Sequence, residues 1–109
     1  MNMAKTQPYV LIYDSEINAH LGAIEPKHHG LIKSEIKEQL EFEPDRATRN
    51  RKQLKRPIKM GAGWELRFGP GNRFRVFYRV DADEHEVRIL AIGVKENNRV
   101  FVAGEEVEL

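Results

Sequence analysis

The alternation of side-chain type between Trp64 and Lys95 restricts the fold more than any other feature of the chain. This stretch reads WELRFGPGNRFRVFYRVDADEHEVRILAIGVK. A strand sends successive side chains to opposite faces. In the middle run Phe74, Val76, Tyr78 and Val80 take one face, and Arg73, Arg75, Phe77 and Arg79 take the other. In the run before it, Trp64, Leu66 and Phe68 share a face while Glu65 and Arg67 point away from it. Paired as a hairpin through GPGN, the two runs gather Arg67, Arg73, Arg75 and Arg79 on one side of a sheet. Burying unpaired charge is strongly unfavourable, so that side is expected to stay open to water or to an anionic partner. Two readings follow from the pattern. The open side binds nucleic-acid phosphate, or it is a solvated face whose arginines pair with surface acids.

The rest of the chain supplies what must cover the apolar side. YVLIY at 9–13 is a β-rich run, apolar on both faces, and reads as a short strand within the sheet. Asp14 or Ser15 offers an N-cap. Ile17, Leu21 and Ile24 then share one face of a helix of about ten residues. Pro26 stops that helix or starts the next. Leu31, Ile32, Ile36 and Leu40 describe a second amphipathic helix over 27–42, weakened by Gly30 and ended by Pro44. Two helices joined at a proline form a hairpin whose apolar stripe needs a sheet. Residues 46–59, RATRNRKQLKRPIK, read as an extended connection because Pro57 sits inside it and Pro44 precedes it. Leu54 and Ile58 are expected to tack it to the core. GPGN at 69–72 and DADEH at 81–85 are turns. The run 87–94 is apolar on both faces apart from Arg88 and belongs in the middle of the sheet. Residues 99–103 read as a short edge strand. The layout is β-α-α-β-β-β, one α+β domain over 1–109 with two helices on one face of a mostly antiparallel sheet. Residues 1–8 read as a loose leader and 105–109 as a mobile acidic tail.

Charge is segregated along this layout. The formal net charge is +1. Residues 46–79 hold eleven Lys and Arg against the single acid Glu65, a balance of +10. The other residues hold seven bases and sixteen acids, a balance of −9. A local positive potential of this kind points to a polyanion or an acidic protein as partner. The chain has no cysteine, which removes thiol chemistry and suits a reducing cytoplasm. No apolar run is long enough to span a membrane, and MNMAKTQPYV lacks the apolar middle of a signal peptide.

The chemistry on offer is cationic. His20, His28, His29 and His85 have no spacing suited to chelation, so no metal is expected. Ser15 and Ser34 give no support to a nucleophilic triad. GAG at 61–63 and GPG at 69–71 match no phosphate-binding glycine loop. What remains is Arg67, Arg73, Arg75, Arg79 and Lys95, whose strand positions converge. Such a cluster can bind a nucleic-acid backbone. It can also stabilise the charge that develops when an RNA 2′-OH attacks its own phosphate. Glu65 is the one carboxylate of the region, and it reads either as a base or as the ion-pair partner of Arg67 or Arg75.

The basic linker RNRKQLKRP, then WELRF, NRFRVFYRVD and VRILAIGVKENNRVF, resembles toxins of the RelE/ParE superfamily of type II toxin–antitoxin modules, over most of residues 9–103. The resemblance implies a RelE-like fold, with an α-hairpin against a curved antiparallel sheet. It implies a cytoplasmic toxin with an antitoxin partner and no cofactor. In the RelE branch such toxins cut mRNA on the ribosome without metal and block translation, and modules of this kind serve plasmid stabilisation. Carried over by position, Arg67, Arg75 and Lys95 stabilise the transition state with Glu65 beside them. Arg49, Arg51, Lys52, Lys55, Arg73, Arg79 and Phe101 contact RNA. Glu65 stands where a second strand lysine is expected, and Phe101 where a C-terminal tyrosine is expected. Both departures also fit a non-catalytic binder, either a ParE-like gyrase inhibitor or a homologue that binds only its antitoxin.

Overall fold

In a computed structural model the described residues are 7–56, 58 and 61–108. Residues 1–6 of the expected leader, Pro57 and Lys59 of the linker and Leu109 of the tail lie outside them. In chain order the elements are β1 (Val10–Tyr13), α1 (Ile17–Gly22), α2 (His29–Leu40), β2 (Arg51–Gln53), β3 (Trp64–Phe68), β4 (Phe74–Asp81), β5 (Glu86–Glu96), β6 (Arg99–Val102) and β7 (Glu105–Val107). The strands form one sheet in the order β2-β3-β4-β5-β6-β7, with β1 also paired to β5. The β1–β5 pair is parallel and every other pair is antiparallel. This is the expected α+β arrangement, with β5 at its centre.

The first apolar face is as the alternation predicts. Leu66, Phe68, Phe74, Val76 and Tyr78 are buried with Val87, Ile89 and Ile92 of β5, under Ile17 and Leu21 of α1 and Ile32, Ile36 and Leu40 of α2. The helices differ in detail. α1 spans six residues, and Ile24 is buried from the connection after it. Pro26 starts a 3₁₀ turn over Pro26–His28 that leads into α2, its fixed φ suiting a first helical position. Leu31 was expected on the buried stripe but is exposed, because Ile32, Ile36 and Leu40 alone face the sheet.

The second face departs from expectation. It is not an open arginine face. Ile58, Ala62, Phe77, Leu90, Ala91 and Val100 form a second small core there, with Leu54, Val102 and Val107 packed against it. Two features build it. The chain after β2 folds across this face, with the Leu54 N–H donating to the Gly63 carbonyl at 2.8 Å and the Ile58 N–H to that of Ala62 at 3.3 Å. Linker residues 51–53, expected to run as a mere connection, add β2 to the edge of β3. A β-bulge then changes the parity of β5. Phe77 pairs with Ala91 and Tyr78 with Ile89, so Leu90 is the extra residue and lies with Ala91 on the second face. That shift lets Val87 and Ile89 share the first face with Ile92.

Residues 99–102 are not the sheet edge. The presumed mobile tail supplies a further strand, β7, whose Glu105–Val107 pair with β6. Gly93 is required where β6 crosses β5. A Cβ built there would sit 2.8 Å from the Phe101 carbonyl oxygen, too close for any side chain.

Candidate functional site

β2 decides which basic residues of the linker are available. Its register sets Arg51 against Leu66 and Lys52 against Glu65. Arg51 therefore points to the helix side and Lys52 to the second face. The Arg51 guanidinium is buried, donating from Nη1 to the Gln39 carbonyl at 2.7 Å and from Nε to the Arg46 carbonyl at 3.0 Å. It ties the last turn of α2 to the loop before β2. The expectation that Arg51 contacts RNA from an open surface is therefore corrected: the side chain is buried and its Nε and Nη1 are engaged inside the fold.

Glu65, Arg67 and Arg75 come together on the second face. Arg67 pairs in register with Arg75 across β3 and β4, and Glu65 lies two residues before Arg67 on the same face. Arg67 Nε donates to Glu65 Oε1 at 3.1 Å, and Arg75 Nη1 donates to Glu65 Oε2 at 2.9 Å. Arg75 Nε also donates to the Asn72 carbonyl at 2.9 Å. The three side chains differ sharply in exposure. Glu65 is 1% and Arg75 7% exposed, whereas Arg67 is 31% exposed. Arg75, expected to touch phosphate from an open face, is instead enclosed between Glu65 and the turn. Glu65 is the ion-pair partner of both arginines, and each of its oxygens already accepts one guanidinium bond.

Arg67 faces two adjoining hollows. One, of about 460 Å³, is lined by Lys52, Leu54, Lys55, Arg56, Ile58, Glu65 and Arg67. The other, of about 350 Å³, is lined by Arg49, Lys52, Gln53 and Arg67 among others. Lys52 and Arg67 belong to both, so the two make one basic groove along the β2 edge. Asn50 holds this edge by donating from Nδ2 to the Arg67 carbonyl at 2.8 Å, and its own carbonyl accepts the Arg67 N–H at 2.8 Å.

The other expected site residues lie apart from the groove. Lys95 shares the second face, but Arg75 pairs with Gly93, which leaves Lys95 diagonal to it and opposite Val100. Among the described residues no side-chain hydrogen bond links Lys95 to Glu65 or Arg75. Arg73 precedes β4, with its guanidinium 5.5 Å from the centre of the Phe74 ring. Arg79 stands opposite Arg88 and beside Gly61. Phe101 is corrected outright. It pairs with Val94 and lines a hollow with His20, Ile24 and Ile92, on the helix side of the sheet. Alternation sends Val100 and Val102 to the second face and Phe101 away from it.

No tyrosine replaces it. Tyr78 lies under the helices, its hydroxyl donating to the Pro44 carbonyl at 2.7 Å, and burial pushes its phenol well above the usual range. Tyr9 and Tyr13 line a cleft beside α1 and α2. Among the described residues no group of three His, Cys, Asp or Glu side chains is gathered as a metal site requires. The linker reading passed over Arg56 and the lining role of Leu54 and Ile58. Their signal was the mixture of apolar and basic residues in QLKRPIK, of which Leu54, Lys55, Arg56 and Ile58 line the hollow.

The described helices include none long and apolar enough to cross a membrane. No family model and no curated protein matches the chain. A chain in the crystal structure of the toxin–antitoxin complex RelBE2 from Mycobacterium tuberculosis has a similar structure, with a TM-score of 0.66 and 23% identity over 84% of this chain and 95% of that chain. The two share a fold. That fold is the RelE-like α+β arrangement expected from the sequence, with a helix pair on one face of a mostly antiparallel sheet. On it, the β2 edge of this protein carries the groove that holds Lys52 and Arg67.

Proposed function

We propose that the protein is the toxin of a type II toxin–antitoxin module and a metal-independent endoribonuclease that cuts mRNA on the ribosome. One observation carries this reading: a groove lined by six basic residues, Arg49, Lys52, Lys55, Arg56, Arg67 and the largely buried Arg51, with the Arg67 guanidinium held by a buried carboxylate. The fold shared with a chain of a toxin–antitoxin complex supports the toxin assignment and an antitoxin partner. In the reaction the RNA 2′-oxygen attacks the adjacent phosphorus and the bond to the 5′-oxygen breaks. The products are a 2′,3′-cyclic phosphate and a 5′-hydroxyl. Arg67 and Lys52 meet the negative charge that grows on the phosphoryl oxygens. The proton leaving the 2′-oxygen passes to water, and water protonates the 5′-oxygen.

A second reading is favoured by a specific observation. Glu65 is engaged by two arginines, and Phe101 faces away from the groove, so neither the carboxylate nor the aromatic residue expected at the site stands ready to assist a proton transfer. On that reading the protein binds without cutting, as a gyrase inhibitor or as an antitoxin-binding homologue. Induction of the protein alone in growing bacteria separates the two. Loss of intact mRNA and of translation with normal DNA supercoiling is the expected result. Altered supercoiling with intact mRNA would replace the nuclease by the binder.

A further inference from the structure

The groove is not purely basic. Its larger hollow is lined by the aliphatic side chains of Leu54 and Ile58 as well as by Lys52, Lys55, Arg56 and Arg67. A site for a bare phosphate needs no such wall, and an aliphatic wall beside cations suits a ligand with an anionic group and a flat apolar face. The wall is fixed. Ile58 is 9% exposed within the second core, and the Leu54 N–H is tied to Gly63. The cation is fixed as well. Arg67 Nε is engaged by Glu65, while its terminal nitrogens make no hydrogen bond among the described residues. Glu65 is itself held from behind by Arg75. The pair Glu65 and Arg75 therefore aims Arg67 rather than meeting a ligand.

We propose that this hollow is a one-nucleotide subsite for single-stranded RNA, in which Arg67, aimed by Glu65 and Arg75, takes the phosphate while Leu54 and Ile58 take the base. This rests on the reading that the ligand is RNA. The roles are unequal in a way that charge alone does not predict. Long-range electrostatics says that Glu65→Gln, which removes an acid from a basic face, strengthens RNA binding. Aiming says that it weakens binding, because Arg67 loses its anchor. Arg67→Lys keeps the charge but not the planar fork or the Nε donor, so it is expected to bind as poorly as Arg67→Ala.

The test measures binding of a five-nucleotide single-stranded RNA, of the same oligomer with abasic positions, and of inorganic phosphate, with thermal melts on every sample. Wild type is expected to prefer the intact oligomer. Arg67→Ala and Arg67→Lys are each expected to lose about tenfold to a hundredfold, the range of a charge-assisted hydrogen bond. Glu65→Gln is expected to lose affinity, and Leu54→Asn to weaken the intact oligomer while leaving the abasic one unchanged. Equal binding of intact and abasic oligomers by wild type overturns the base subsite. Tighter binding by Glu65→Gln, or by Arg67→Lys than by Arg67→Ala where Glu65→Gln fails to fold, overturns the aiming role. If wild type binds neither oligomer but retains polyglutamate, the RNA reading falls, the subsite falls with it, and the groove is a protein interface.

Discussion

Arg67 and Arg75 both bond to Glu65, yet their removal should have very different costs. Arg75 and Glu65 are buried together, so Arg75→Ala leaves a carboxylate enclosed with one of its two partners gone. Breaking a buried pair by deleting one member typically costs about 3–5 kcal/mol. Arg67 is partly exposed, and its absence still leaves Glu65 paired with Arg75. Arg67→Ala should therefore cost about 1 kcal/mol or less. Urea unfolding of the two variants should separate them clearly, and equal losses would mean that Arg75 is not enclosed in solution. Arg51 belongs with Arg75 in this respect. Its guanidinium holds the Gln39 and Arg46 carbonyls. Arg51→Ala should lose about 1.5–3 kcal/mol, the net value of hydrogen bonds to a charged group. The folded fraction should bind RNA as wild type does. A weaker RNA complex at unchanged stability would restore Arg51 to the binding surface.

At the scale of elements, the first apolar face was legible and the second was not. Period-two alternation in β3 and β4 names Leu66, Phe68, Phe74, Val76 and Tyr78, because local pattern and tertiary burial agree there. The same alternation names Glu65 and Arg75 as sharing a face, but not that the chain after β2 would cover them. That cover depends on Leu54, Ala62 and the Leu90 bulge meeting across distant sequence, and no single window shows it. The contact between α1 and β5 was hidden for the same reason. His20 Nδ1 accepts the backbone N–H of Ile92 at 3.3 Å, just before β5 passes from pairing with β1 to pairing with β6. Burial lowers the His20 pKa below its ordinary value, against the smaller opposing pull of Glu16 and Asp14. The neutral ring is the one that accepts this bond, so its contribution is complete above the unfolded pKa of about 6.5. It is lost as pH falls from there through the lowered folded value. In His20→Asn an amide oxygen can replace Nδ1 without titrating. The stability difference between wild type and His20→Asn should shift against wild type from pH 7.5 to pH 5.5, read from melts at both. A difference that does not move with pH would show that His20 carries no such bond.

The whole molecule is a dipole of edges. The β2 edge carries the basic groove, and the β7 edge carries Glu105 and Glu106, with Glu16 and Glu108 beside them in one recess. Five strand spacings separate the two edges along the sheet, roughly 24 Å. Screening decides whether the acidic edge influences a ligand held at the basic one. The Debye length is about 8 Å at physiological salt and about 30 Å at 0.01 M. Glu105→Lys with Glu106→Lys should therefore leave RNA affinity unchanged at physiological salt and raise it at 0.01 M. Lys52→Ala, inside the groove, should weaken binding at both. It should also flatten the dependence of log affinity on log salt by about 0.7, the share of one phosphate contact on a single strand. Titrations of a short single-stranded RNA across that salt range give both quantities from the same samples. If the β7 substitutions change affinity at physiological salt as much as at low salt, RNA lies within reach of that edge. The ligand would then span the sheet, and the β2 groove would be one end of its path, not the whole of it.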